Sequence, residues 1–144
     1  MPTNKLHAAL KVMLFVLIMP SSTFVAVTNV LAMTYITGTS ARDTLVGTNE
    51  DDTISGLGGD DQIYGQDGND KINGFLGNDI LSGSDGNDQV NGGDGNDVLN
   101  GGYGDDILSG GAGADKFYCG YGTDTITDFS ATDGDTKSGD CENF

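Results

Sequence analysis

An aspartate recurs at every ninth residue from Asp43 to Asp124, ten times without a gap. When the chain is written in rows of nine from Gly38, this aspartate takes the sixth place of each row and an apolar residue takes the eighth. Self-similarity at a fixed period is typical of repeat architectures, in which each unit stacks on its neighbours. The sixth-place aspartates are Asp43, Asp52, Asp61, Asp70, Asp79, Asp88, Asp97, Asp106, Asp115 and Asp124.

Each row divides into two parts. Places one to six read G-x-x-G-x-D, which is turn chemistry because glycine permits positive φ and aspartate tolerates tight turns. The fourth-place glycine runs from Gly59 to Gly122, and only Ala41 and Glu50 in the first two rows break it. Places seven to nine predict a three-residue strand whose central side chain points away from its neighbours. Stacking such strands in register would bury the eighth-place side chains.

Composition alone would favour a different interpretation. The chain has 144 residues, 24 of them glycine, and a formal net charge of −16. Low hydrophobicity with high net charge is typical of disordered acidic segments, but the periodic order of these residues argues against disorder. A regularly acidic surface repels nucleic acid and attracts hard cations. We therefore expect hard cations as partners and no nucleic acid.

The first 32 residues are of another kind. Lys5 and Lys11 precede an uncharged apolar run, and Val30-Leu31-Ala32 offers a cleavage point before Met33. This layout predicts a secretory signal peptide over 1–32 and a secreted, extracellular protein without membrane insertion after cleavage. The alternative is an uncleaved anchor on the outer face of the membrane, since Val12 to Ala32 carries no charge.

The cysteines lie at the C-terminal end of the chain. Cys119 and Cys141 are an even pair in an exported chain, which predicts a disulfide bond worth about 3 kcal/mol. This bond would tie a capping tail, 128–144, to the repeats in 33–127. The tail from Ser130 shows no period. Its Asp133-Gly134-Asp135 weakly echoes an extracellular calcium motif, an interpretation that later residues of the tail do not support.

Two consecutive rows, 92–100 and 101–109, read G-G-D-G-N-D-V-L-N and G-G-Y-G-D-D-I-L-S. They resemble the RTX, or hemolysin-type calcium-binding, nonapeptide repeat, and the resemblance covers about residues 38–129. It implies an all-β, right-handed parallel β-roll (a β-helix or solenoid) with calcium in the turns. Two rows would make one coil, so that alternate aspartates share an edge, as Asp70 and Asp88 do.

The resemblance also implies the ligands of each calcium ion. Sixth-place carboxylates would supply charge, and glycine carbonyls would supply the other oxygens. Stacked carboxylates about 5 Å apart repel one another, and a hard cation turns that repulsion into a cross-link. Five turns on each edge leave four gaps, so about eight ions is the ceiling. Turn-capping without metal is the alternative. The implied carbonyl donors are Gly56, Gly59, Gly65, Gly68, Gly74, Gly77, Gly83, Gly86, Gly92, Gly95, Gly101, Gly104, Gly110 and Gly113.

Catalysis is not expected. The only histidine, His7, lies in the predicted signal peptide, so Ser-His-Asp and Cys-His chemistry is excluded from the rest of the chain. We expect a structural, extracellular-matrix or surface role, with a calcium-dependent adhesion or ligand-binding module as the alternative. The residues at the seventh and ninth places are of mixed types. They do not form the regular row of threonines that an ice-binding surface would need. The sequence does not identify a protein or glycan partner.

Overall fold

The computed structural model describes residues 24–26 and 34–141. Apart from Phe24–Ala26, the predicted signal peptide lies outside these residues. The described part contains thirteen strands, and no helix in it is long and apolar enough to span a bilayer. The strands are β1 (Phe24–Ala26), β2 (Thr34–Thr37), β3 (Thr44–Val46), β4 (Asp52–Gly58), β5 (Gln62–Asp67), β6 (Lys71–Leu76), β7 (Ile80–Asp85), β8 (Gln89–Asp94), β9 (Val98–Tyr103), β10 (Ile107–Ala112), β11 (Lys116–Tyr121), β12 (Thr125–Ile126) and β13 (Thr136–Lys137).

The strands alternate between two parallel sheets. The odd-numbered strands form one sheet of seven, in the order β1-β3-β5-β7-β9-β11-β13, and the even-numbered strands form the other sheet of six. Within the repeats, paired residues are 18 positions apart, as in Ile63 with Leu81 and Leu81 with Leu99. One coil therefore takes two rows, and about six coils are stacked. The predictions of an all-β parallel solenoid and of two rows per coil are confirmed.

The strands are longer than the sequence predicted. From β5 to β11 each has six residues, because places one to three join places seven to nine. The assignment of the first-place glycines to turns is therefore wrong. In β7, a Cβ atom on Gly83 would lie 2.7 Å from the carbonyl oxygen of Gly101 and would fall on the carboxylate of Asp88. Glycine is needed there because the next coil and a buried side chain approach the backbone, and not for turn formation.

The core is a single file of eighth-place side chains. Every one of them is buried, with at most 2 % of its surface exposed, so the predicted core is confirmed. Phe117, the largest, packs against Phe129 with ring centroids 6.3 Å apart, near the end where the stack closes. The eighth-place residues are Leu45, Ile54, Ile63, Ile72, Leu81, Val90, Leu99, Leu108, Phe117 and Ile126.

The solenoid extends beyond the ten rows at both ends. In β2, Ile36 pairs with Ile54 and is buried, so this strand continues the period by half a coil before Gly38. Strand β1, inside the predicted signal peptide, pairs in parallel with β3. At the other end, β13 pairs with β11 and places Lys137 beside Phe117. The tail therefore adds a strand that the sequence analysis did not predict.

Backbone strain is concentrated at the second place of four rows. Leu57, Gln66, Phe75 and Ser84 have positive φ angles between 77° and 91°. Later rows have glycine there, beginning with Gly93 at φ 115°. A non-glycine residue in the left-handed region costs roughly 1–2 kcal/mol, so these rows keep the shape of the glycine rows at an energetic cost.

Candidate metal sites in the turns

The sixth-place aspartates close the turns from the inside. From Asp52 to Asp124 each is at most 2 % exposed, although each carries a carboxylate. From Asp61 onward, one carboxylate oxygen, Oδ1, accepts the backbone N–H of the sixth-place aspartate one coil earlier. The Asp70 N–H donates to Asp88 at 2.8 Å, and the Asp79 N–H donates to Asp97 at 2.7 Å. The carboxylates are thus fixed in position by the backbone of the neighbouring coil.

Each of these hydrogen bonds joins two aspartates that lie on the same edge of the roll. The series that contains Asp70 and Asp88 runs along one edge, and the series that contains Asp79 and Asp97 runs along the other. The structure therefore brings the sixth-place aspartates together in the two stacks that the sequence predicted, and each neighbour in a stack is 18 residues away. Any ion between two turns of a stack would lie between aspartates of consecutive coils.

The second oxygen of these carboxylates is the unusual feature. In the rows from Gly56 to Gly110, Oδ2 is buried and has no hydrogen-bond partner. Leaving a buried polar atom unsatisfied costs about 1–3 kcal/mol, and more when it is charged. Each such oxygen needs either a proton or a cation. The aspartates concerned are Asp61, Asp70, Asp79, Asp88, Asp97, Asp106 and Asp115.

Burial changes the acidity of these carboxyl groups. It raises the pKa of Asp70, Asp97 and Asp106 to about 7, and that of Asp61 and Asp88 to about 6. The backbone N–H bond to each group opposes the rise in pKa, and neighbouring carboxylates add to it. The repulsion between stacked carboxylates that the sequence predicts contributes less to this rise in pKa than desolvation by burial does.

These pKa values predict that acid stabilises the calcium-free roll. The folded-state pKa values of about 6 to 7 lie above the ordinary 3.8, so the folded chain binds these protons more tightly than the unfolded chain. The resulting stability is complete below about pH 4 and is lost as the pH rises through 6 to 7. Circular dichroism in chelator should show more β structure at about pH 5 than at about pH 8. Equal spectra at both pH values would contradict this prediction.

Backbone oxygens complete the inventory of possible ligands. No group of three or more His, Cys, Asp or Glu side chains in the described part is arranged to hold a metal ion. A site in the turns therefore needs carbonyl oxygens. Those at the third and sixth places accept bonds from the neighbouring coil, as Asp85 does from Gly68 and Asp70 from Gln89. Among the hydrogen bonds of the described turns, the fourth-place glycine carbonyls accept none.

The predicted glycine ligands fall into two groups. The fourth-place glycines lie in the turns as expected, with φ between 99° and 140° from Gly59 to Gly113, apart from Gly95 at 145°. The first-place glycines lie inside strands β4 to β10, so their carbonyls are part of the sheets and not of the turns. These first-place glycines are Gly56, Gly65, Gly74, Gly83, Gly92, Gly101 and Gly110.

In the first two rows, unlike those from Gly56 to Gly110, Oδ2 of the sixth-place aspartate has hydrogen-bond donors. Oδ2 of Asp43 accepts the N–H and the hydroxyl of Thr39, and Oδ2 of Asp52 accepts the same two groups of Thr48. These rows also lack the fourth-place glycine. The missing glycines are visible in the sequence, but the role of the two threonines was not predicted from it.

Sequence reasoning also missed Asp135. Its Oδ1 accepts the Asp115 N–H at 2.9 Å, which is the bond that a sixth-place aspartate of the next row would make. Its Oδ2 accepts the Ser130 N–H at 2.7 Å. The spacing from Asp115 is 20 residues instead of 18, and this shift hid the relation from a search for period nine. Asp135 thus ends one edge of the roll with both carboxylate oxygens hydrogen-bonded.

The predicted disulfide bond between Cys119 and Cys141 is present. Their Cα atoms are 5.1 Å apart, and both residues are buried. Cys119 takes the first place of the tenth row, where the earlier rows have glycine. The bond therefore fastens the tail directly onto the last coil.

Taken together, these features define a class of protein: a parallel β-solenoid whose turns contain buried carboxylates that lack a full set of donors. Four overlapping segments, 37–72, 63–90, 73–106 and 100–127, match the family model of the RTX calcium-binding nonapeptide repeat. They cover more than half of the chain, which therefore belongs to the RTX family and is a calcium-binding β-roll protein. No curated protein and no solved structure matches the chain significantly.

Proposed function

We propose that this protein is a secreted β-roll that folds when it binds calcium and then serves as a structural component of an extracellular matrix or cell surface. The observation that supports this most strongly is the series of buried Oδ2 atoms without a hydrogen-bond partner between Asp61 and Asp115. Divalent calcium prefers six to eight oxygen ligands in a flexible arrangement. Carboxylates combined with carbonyl oxygens match that preference.

The turn geometry supports one set of proposed ligands. The Oδ2 atoms of the sixth-place aspartates would supply negative charge, and the fourth-place glycine carbonyls, such as those of Gly68 and Gly86, would supply neutral oxygens. The first-place carbonyls stay a prediction, with weaker support because they belong to strands. A bound calcium ion supplies positive charge that cross-links neighbouring turns. The protein itself holds the carboxylates in place through the backbone N–H bonds to Oδ1.

The proposed domain organisation places a signal peptide at 1–32, the roll at 33–127 and the capping tail at 128–144. Cleavage before Met33 would remove β1 and leave β3 as an edge strand of its sheet. The disulfide bond supports an extracellular location, because such bonds persist in oxidising compartments. Retention of 1–32 as an anchor on the outer face of the membrane is the alternative.

A calcium-dependent adhesion or ligand-binding role is the second candidate, and one surface favours it. The outer face of the six-stranded sheet carries an open groove of about 400 Å³ that crosses β4, β6, β8 and β10. Polar side chains such as Lys71, Asn73, Gln89 and Asn91 line it. The Oδ1 atom of Asn73 is buried without a hydrogen-bond partner. A groove that combines these polar side chains with apolar ones such as Ile107 could receive hydroxyl-rich or amide-bearing ligands.

Calcium titration calorimetry tests the proposed function at one carboxylate. The substitution Asp88→Asn preserves the shape of the side chain and removes its charge, so the average calcium affinity should fall about tenfold, or roughly 1.4 kcal/mol per affected ion. Asp67→Asn removes the same charge from an exposed position of the same edge and should have little effect. If both variants lost the same calcium affinity, Asp88 would act only through the net charge of the protein and not as a ligand. The absence of calcium uptake by the unchanged protein would refute the proposal.

A further inference from the structure

We infer that the first full coil, residues 38–55, is a calcium-free end of the roll, in which Thr39 and Thr48 take the place of the cation. This inference rests on the proposed function, because it separates turns that use calcium from turns that do not. It concerns two edges at once, since Asp43 lies in one stack and Asp52 in the other.

The contacts of Asp52 show how a buried carboxylate is satisfied without metal. Its Oδ2 accepts the Thr48 N–H at 2.6 Å and the Thr48 hydroxyl at 3.1 Å, and its Oδ1 accepts the Thr34 N–H at 3.0 Å. Asp52 is only 2 % exposed, as deeply buried as the later aspartates. Three donors therefore neutralise the cost of burial that the later rows leave uncompensated.

The turn around Asp43 uses the same contacts. The Thr39 N–H and hydroxyl donate to Oδ2 of Asp43 at 2.6 and 2.9 Å. In both turns the threonine oxygen also accepts the N–H of the fourth-place residue at 3.2 Å, from Ala41 in one and Glu50 in the other. Each hydroxyl is thus held between a backbone donor and a carboxylate acceptor, which fixes its orientation.

Backbone conformation explains why only these two turns do this. From the row of Gly56 onward, the second and fourth places both have positive φ, whereas Thr39, Thr48, Ala41 and Glu50 do not. Side chains with a Cβ disfavour positive φ, and β-branched threonine disfavours it most. Without a fourth-place glycine, the turn follows another path that directs the second-place N–H toward the carboxylate.

Ser84 provides a control within the molecule. It also carries a hydroxyl at the second place, but its row has Gly86 at the fourth place and Ser84 itself has φ 91°. Oδ2 of Asp88 in that row has no hydrogen-bond partner, and the Ser84 hydroxyl lies 3.4 Å from that of Ser82. A hydroxyl alone is therefore insufficient. Threonine at the second place must occur together with a non-glycine residue at the fourth.

Two consequences follow for the assembled roll. Calcium-dependent turns begin at Asp61 on one edge and Asp70 on the other, which leaves four turns and three gaps on each edge. The number of ions therefore falls from the ceiling of about eight to about six. The N-terminal coil, whose carboxylates need no ion, would offer an ordered surface on which the next coil stacks.

Two variants of the calcium-saturated protein test the inference, with calcium ions alone as the probe. Thr48→Val removes the hydroxyl at nearly constant volume and should speed amide hydrogen exchange in residues 47–52 about tenfold, without changing the number of ions bound. Thr53→Val, in β4 of the same coil, changes a threonine that is not among the donors to Asp52 and should leave exchange unchanged. Loss of one ion in Thr48→Val, or no change in its exchange, would overturn the inference.

The double variant Thr48→Gly/Glu50→Gly tests the same idea by gain of a site. It gives the second row the G-G-x-G-x-D pattern of the later rows, and equilibrium dialysis should detect one additional calcium ion per chain. Normal uptake by the unchanged protein with no gain in the double variant would overturn the inference and leave the proposed function standing. Absence of calcium uptake by the unchanged protein would instead overturn the proposed function itself.

Discussion

In a calcium chelator at neutral pH, residues 33–144 should give the circular dichroism spectrum of a coil, and saturating calcium should restore a β spectrum. The reason is the cost of the unsatisfied carboxylate oxygens. From Asp61 to Asp115 seven Oδ2 atoms are buried without a hydrogen-bond partner. At about 1–3 kcal/mol each, their cost matches or exceeds the roughly 5–15 kcal/mol that stabilises an ordinary domain.

The apolar core cannot compensate for this cost. It contains one side chain per row, so little apolar surface is buried for each residue that must be ordered. Magnesium at the same concentration is the control, because it demands a stricter octahedron and keeps its water ligands. We expect it to restore less β structure than calcium does. An intact β spectrum in chelator at neutral pH would show that the turns are stable without any ion.

The substitution Gly86→Ala should destabilise the calcium-loaded roll by about 3 kcal/mol or more. Gly86 has φ 139°, a conformation that alanine rarely adopts, and an added Cβ atom would fall on the carbonyl oxygen of Gly68 in the neighbouring turn. Both the strain and the clash act on the backbone, so no side-chain movement can relieve them. Two adjacent coils would have to separate, and the proposed ligands between them would move apart.

Gly139→Ala is the matched control for that substitution. Gly139 lies in the tail, has no atom within 4 Å of an added Cβ and has no positive φ. Thermal unfolding in saturating calcium should show a clear loss of stability for Gly86→Ala and almost none for Gly139→Ala. If both variants unfolded at the temperature of the unchanged protein, the close contact between Gly86 and Gly68 would be wrong.

The sequence predicted the coil because the period is exact in number and chemistry. A buried residue such as Leu81 and an aspartate such as Asp88 recur at fixed places, and parallel stacking is the arrangement that buries all of them together. Strand length was not predictable in the same way. Gly83 looks like a turn residue by composition, and its place in β7 depends on the approach of Gly101 from another coil.

The other features that the sequence did not predict also depend on contacts between distant residues. The role of Asp135 depends on the path of the tail, which adds two residues to the period. The rise in the pKa of Asp70 comes mainly from burial, which a list of charges does not reveal. Thr48 was visible as a departure from the repeat, but its effect on Asp52 depends on the backbone angle that Glu50 imposes in the turn.

The register of 18 residues makes the length of this protein adjustable. Because each coil pairs only with the coil before and after it, removal of one complete coil such as 65–82 would present every remaining strand with a partner of the same kind. A change by a single residue would instead turn buried side chains outward in every later row. Tandem duplication or loss of whole coils is therefore a route by which related chains can differ in the length of the roll while their two end coils stay the same.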